Sequence, residues 1–171
     1  MSLPHTDFWT WSLERYERAG AAETLLRLQD EHGLNVNLLL WCCWSAEFFD
    51  AVSGPVMREA EIATRDWNAR VTAPLRSVRR RLKNGDDGDK KQRKALRKMV
   101  KDAELEAEKV EQTRLEALAA AHLAPLASTD GAAGRAANNL RLYAEQTEAG
   151  DAAPLTAQLS ALIGKVVDET P

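Results

Sequence analysis

The chain has no apolar run longer than seven residues; the longest, Leu38 to Trp44, is about a third of what a membrane-crossing helix requires. Cysteine is equally scarce: only Cys42 and Cys43, side by side. Neighbours on a helix point about 100° apart, so a bond between them would strain the backbone. Two reduced thiols in a reducing compartment are expected instead. The N-terminus, Met-Ser-Leu-Pro-His-Thr-Asp, lacks the basic and apolar regions of a secretory signal. The protein therefore reads as soluble and cytoplasmic. No run of alternating β-branched residues is long enough for a strand, and no segment repeats at a fixed period.

Chemistry-bearing patterns are also missing. His5, His32 and His122 are scattered, with no HxxxH, CxxC or ExxH spacing, so a transition-metal site has no support. Asp86, Asp87 and Asp89 lack the spacing of a calcium loop and the glutamate that closes it. No glycine loop followed by lysine cradles a phosphate, and no serine sits in a nucleophile elbow. The sequence points to no catalytic residue, cofactor or metal. An enzyme or an apolar-ligand binder is the less favoured reading.

What remains is a helical pattern. The 171 residues, 44% apolar and 29% charged, suit a single domain with a real core. Thr6 or Asp7 caps a first helix that Gly20 ends, and a second, about 21–32, stops at Gly33. Asn35 caps a third that runs to about Ser53. Its apolar middle marks it as the central, most buried helix. A fourth spans about 56–72, and Pro74 starts or kinks a fifth, about 73–83. After a turn at 84–89, the stripe Leu96, Met99, Val100, Ala103, Ala107, Val110, Leu118 predicts one long helix, about 90–123. Helices of about 135–149 and 152–168 complete the chain. The expected fold is all-α, a compact bundle of about six to eight helices within one domain, 1–171. It comprises an aromatic half (7–72), a basic helical hairpin (73–101) and alanine-rich C-terminal helices (102–168). No aromatic residue occurs between Trp67 and Tyr143, so the second half should have the thinner core.

The charge is segregated. Residues 1–75 hold six basic and eleven acidic side chains, 76–101 hold twelve and three, and 102–171 hold five and twelve. Two basic stripes stand out, Arg76, Arg79, Arg80, Lys83 and Lys94, Arg97, Lys98, Lys101. Each has the i, i+3, i+4, i+7 spacing of one helical face. Leu75, Val78, Leu82 and Leu96, Met99, Val100 lie away from these stripes. Each helix is therefore expected to dock its apolar side and turn a wall of cations outward. Two neutralising partners stay open. One is internal: Asp102, Glu104, Glu108 and Glu111, otherwise an exposed carboxylate stripe, or the acidic N-terminal helices. The other is external: another protein, a ribonucleoprotein, or nucleic-acid phosphates. The stripes contain no aromatic residue, which argues against single-strand binding by base stacking.

The remaining candidates are structural. Trp9, Trp11, Trp41 and Trp44 are expected as core. Asn35 and Asn37 sit in an apolar stretch, and a buried Asn37 needs a hydrogen-bond partner, for which Gln29 or Asp30 is the candidate.

The segments Phe8-Trp-x-Trp-Ser-Leu13, Leu28-Gln-Asp-x-x-Gly33, Asn35-Val-Asn-Leu-Leu-Leu-Trp-Cys42, Pro74-Leu-Arg76 and Arg79-Arg80-x-Leu-Lys83 resemble a small family of uncharacterised proteobacterial proteins, a domain of unknown function. The resemblance covers about 7–120. It implies a compact bacterial cytosolic protein and brings no catalytic residue, cofactor or substrate. The residues favour a non-enzymatic interaction protein that docks a macromolecular partner through the basic face of 76–101, with no membrane association. The alternative is a phosphate-backbone binder using the same cations.

Overall fold

The computed structural model describes residues 6–85, 89–147 and 153–168. Eight α-helices account for most of them: α1 (Phe8–Tyr16), α2 (Ala21–His32), α3 (Val36–Phe48), α4 (Gly54–Trp67), α5 (Ala73–Asn84), α6 (Lys90–His122), α7 (Ala132–Gln146) and α8 (Ala153–Val166). Among the described residues there is no strand, only an isolated bridge between Phe49 and Pro125, and no helix long and apolar enough to cross a membrane. The expected turn at 84–89 and the expected start of the last helix near Gly150 and Asp151 fall partly outside the described residues.

The helix limits follow from local chemistry. The Asp7 side chain accepts from the Thr10 amide at 2.9 Å, and that of Asn35 from the Leu38 amide at 3.1 Å; both satisfy N–H groups a helix start leaves orphaned. Gly33 ends α2 in the left-handed conformation, φ 68°, which costs a residue without Cβ nothing. The last helices begin or end a few residues from expectation, since frayed ends carry weak signals.

Helix α3 is the axis of the molecule, buried without interruption from Asn37 to Glu47. Around it lie Phe8 and Trp11 of α1, Leu25 and Leu28 of α2, Met57 and Ala60 of α4, and Leu115 and Ala119 of α6. The C-terminal helices join the same core through Ala136, Leu140, Tyr143, Leu155, Leu159 and Leu162. Alanines on α7 let it lie close along α3, so this half is thin in side chains without being separate from the core. Asn139, fully buried, ties the two helices: its Nδ2 donates to the Cys42 carbonyl at 3.1 Å and its Oδ1 accepts from the Val52 amide at 3.1 Å. Cys42 and Cys43 are free, buried thiols, and burial pushes both far from ionisation.

Pro74 does not break the chain direction. Helices α4 and α5 form one continuous rod, joined by a π-helical turn at Asn68–Thr72. In that turn the Ala73 amide donates to the Asn68 carbonyl, five residues back. The wider winding accommodates a proline that has no amide proton to give and whose ring crowds the preceding turn.

Candidate functional site

The rod α4–α5 and the start of α6 form a helical hairpin. No residue of α5 is buried, and none of α6 is buried before Glu104. The hairpin is thus an arm whose tip half packs only on itself.

The eight stripe cations divide into groups. Arg76 and Arg79 turn inward onto one carboxylate of α6. Arg76 Nε donates to Glu104 at 2.9 Å and its Nη2 to Glu108 at 3.3 Å, while Arg79 Nε donates to the other oxygen of Glu104. Arg97 is half-buried in the seam. Lys98 pairs with Asp102 one turn along, at 2.8 Å on an exposed face. Arg80, Lys83, Lys94 and Lys101 are exposed and make no ion pair among the described residues. The expected wall of eight is reduced, because buried glutamates on α6 draw part of it inward.

The apolar sides of the arm also depart from expectation. At 100° per residue, Lys94, Lys98 and Lys101 share one flank of α6, and Leu96, Met99 and Ala103 the other. That second flank is not docked on the body: Met99 is 68% exposed, and Val78 and Leu96 are about half exposed. Only Leu75, Leu82 and Val100 are partly covered, in the seam.

Where the cationic flank meets the body there is a cleft of about 400 Å³, within the range of small-ligand pockets. Trp9, Leu13 and Tyr16 of α1 form one wall, and Leu26 and Gln29 of α2 continue it. Arg76, Arg79 and Arg80 stand opposite, with Thr72 at the π-helical turn. Lys101, Glu104, Leu105, Glu108, Glu111 and Gln112 line it along α6.

The floor is polar. The Asn35 side chain caps α3 and donates from Nδ2 to Glu111 at 2.7 Å, while its amide donates to the Tyr143 hydroxyl at 2.9 Å. The partner of buried Asn37 is neither Gln29 nor Asp30. Gln112 Nε2 donates to Asn37 Oδ1 at 2.9 Å, and Ser12 Oγ donates to Gln112 Oε1 at 2.9 Å. Gln29 is half-buried in the cleft wall, and Asp30 is exposed. The tryptophans split likewise. Trp11, Trp41 and Trp44 are core, whereas Trp9 lines the cleft with the Lys109 ammonium 5.6 Å from its ring centre. A further buried carboxylate, Glu47, lies outside the cleft and had no signal in its sequence neighbourhood. It accepts from Trp11 Nε1 and from the Asp168 amide, each at 2.8 Å.

The carboxylate stripe of α6 is not an exposed one. Glu104 and Glu111 are buried, and Glu108 is partly covered. Their titration separates accordingly. Burial pushes Glu104 up, but hydrogen bonds from Arg79 and Arg76 outweigh it and hold the group below the usual range. Burial pushes Glu108 up despite Arg76 beside it. Burial carries Glu111 up to about 7, against the hydrogen bonds from Asn35 and Asn37. Glu111 has amide neighbours but no cationic partner among the described residues. No group of three or more metal-ligating side chains occurs among the described residues.

No curated protein and no solved structure matches the chain. A family model matches residues 7–115, a segment that holds every residue lining the cleft, from Trp9 to Gln112. With that match covering well over half of its length, the chain belongs to the family described as protein of unknown function (DUF2390).

Proposed function

We propose that this is a non-enzymatic docking protein of the bacterial cytosol whose α5–α6 arm binds an acidic face of another protein. The observation that carries the reading is the set of exposed cations without an ion pair, Arg80, Lys83, Lys94 and Lys101, on an arm that packs only on itself toward its tip. The helix dipole favours Lys83 alone among them, in the last turn of α5. The run continues into the first turn of α6, which begins Lys90-Lys91 and has no acidic residue, where cations are unfavourable by about 0.3–1 kcal/mol each at low salt. Aliphatic side chains stand beside the charges, with Val78, Leu96 and Met99 about half exposed or more. A protein surface uses both kinds of contact, whereas a phosphate backbone uses only the first.

The test is capture from nuclease-treated cytosol. The bait is the native protein, compared with a variant reversing Arg80, Lys83, Lys94 and Lys101 to glutamate. Arg76, Arg79 and Lys98 are left alone because they serve carboxylates of the same chain. The expected result is a protein retained by the native bait and lost from the variant. Loss of all capture on nuclease treatment, with steep salt dependence on a random-sequence duplex, would transfer the arm to nucleic acid. An unchanged set of captured proteins would refute the reading.

A further inference from the structure

Two buried groups lining the cleft are left incomplete by the protein itself. The first is Thr72, 2% exposed, whose hydroxyl has no hydrogen-bond partner. Threonines in regular stretches of this fold return their hydroxyl to the carbonyl four residues back, as Thr24, Thr64 and Thr113 do at 2.8–3.0 Å. Thr72 closes the π-helical turn. There the winding runs five residues apart, with the Ala73 amide on the Asn68 carbonyl, and the Thr72 hydroxyl makes no such return bond. The second is Glu111, 2% exposed, a carboxylate hydrogen-bonded by Asn35 but in no ion pair among the described residues, with Arg76 acting on it only from a distance. Buried carboxylates are ordinarily paired, because amide contacts alone replace little of the lost hydration.

The rest of the cleft is graded. From Glu111 to Lys101 the wall of α6 extends about 15 Å, at 1.5 Å per residue. At the far end stand Arg80 and Lys101, exposed and without an ion pair among the described residues. Along the lip lie Leu13, Leu26 and Leu105, each 45–47% exposed. That lip gathers three of the fold's large exposed apolar side chains on one opening.

We propose that the cleft binds a short peptide by its free amino terminus, with the ammonium between Glu111 and Thr72, aliphatic side chains along the leucine lip, and the carboxylate end at Arg80 and Lys101. An ammonium supplies the cation Glu111 lacks and donates to the Thr72 hydroxyl at the same time. An extended chain covers about 3.3–3.6 Å per residue, so the groove accommodates about four residues, and a tripeptide fits within it. The peptide is either free or the leading tail of a protein; the chemistry at the floor is the same. The inference shares Arg80 and Lys101 with the docking reading but is tested separately, since the ammonium end rests on Glu111 and Thr72, which that reading does not use.

The test is calorimetric titration of the full chain with Leu-Leu-Glu, N-acetyl-Leu-Leu-Glu, and a longer peptide that begins with the same three residues. Removing one member of a desolvated charge pair costs enough to weaken binding at least about tenfold. Acetylation and Glu111→Gln should each do so, with a smaller loss for Thr72→Val. If the longer peptide binds more weakly than the tripeptide, the natural ligand is a free peptide; if more tightly, a protein tail. Lys83→Glu with Lys94→Glu should leave the affinity unchanged, and a loss there would move the site to the arm and overturn the proposal. Equal binding of the acetylated peptide, or no binding of the tripeptide at millimolar concentration, would also overturn it. Should Glu111→Gln fail to fold by circular dichroism, the acetylation comparison on the native chain decides alone.

Discussion

Glu111→Gln should make the protein more stable at high pH and change little at low pH. The amide keeps the shape of the carboxyl and can still accept from Asn35 Nδ2, which stands 2.7 Å from Glu111. An unfolded glutamate titrates at about 4.3, and each pH unit of separation corresponds to about 1.36 kcal/mol. With Glu111 held up at about 7 in the folded chain, the ceiling is about 3–4 kcal/mol by that conversion. The sign follows from proton binding. The folded state holds the Glu111 proton more tightly than the unfolded state, so stability is fully present below the unfolded value and is lost as pH rises through the folded one. The assay is urea unfolding followed by tryptophan emission across pH 4 to 9, native and variant side by side. Taking the difference between them cancels every other titrating group except those coupled to Glu111, chiefly Glu108 and Arg76. The variant's relative stability should climb by about 2–3 kcal/mol between about pH 4.5 and 7.5 and then level off. A difference that stays flat with pH would refute the argument that Glu111 is buried without a compensating cation.

Other outcomes follow from the same geometry. Trp41 is fully buried and its indole N–H has no partner, so Trp41→Phe should cost less than about 1.5 kcal/mol. Trp11→Phe should cost about 2–3 kcal/mol, because it strips Glu47 of a 2.8 Å donor; equal losses in chemical denaturation would contradict this. Glu104→Ala removes the carboxylate that holds both Arg76 and Arg79. These guanidiniums are about a quarter exposed, which reduces the buried-pair figure to about 2 kcal/mol, and trypsin should then cut faster at Arg79–Arg81. Unaltered cleavage would mean that α5 is held by its seam alone.

Much of the architecture could be read from residue order because the signals are local. Gly33 and Asn35 mark an end and a start whatever surrounds them. The unbroken apolar stretch from Leu38 to Trp44 has nowhere to go but the centre. The site was far less legible. Glu104, Glu108 and Glu111 have the spacing of a solvated stripe, and nothing within α6 reveals that another helix covers them. Asn37 was expected to bond nearby in sequence, yet its partner Gln112 lies seventy-five residues away. Leu96 and Met99 carry the period of a docked face but stand on an arm that nothing in the described chain covers. Periodicity shows which residues share a side; only the tertiary arrangement decides whether that side meets protein or water.

The turn at Asn68–Thr72 also sets the aim of everything beyond it. A π-helical turn holds about one residue more than an α-helical one, and each residue rotates a helix by about 100°. Winding these same residues evenly as α-helix, without the wider turn that absorbs the extra one, would swing Arg76, Arg79 and Arg80 about a quarter of the way around the rod's axis. The guanidiniums would then face away from Glu104, with no change in the amino acids themselves. One surplus residue thus works as a pointing device: it decides which way the following helix looks.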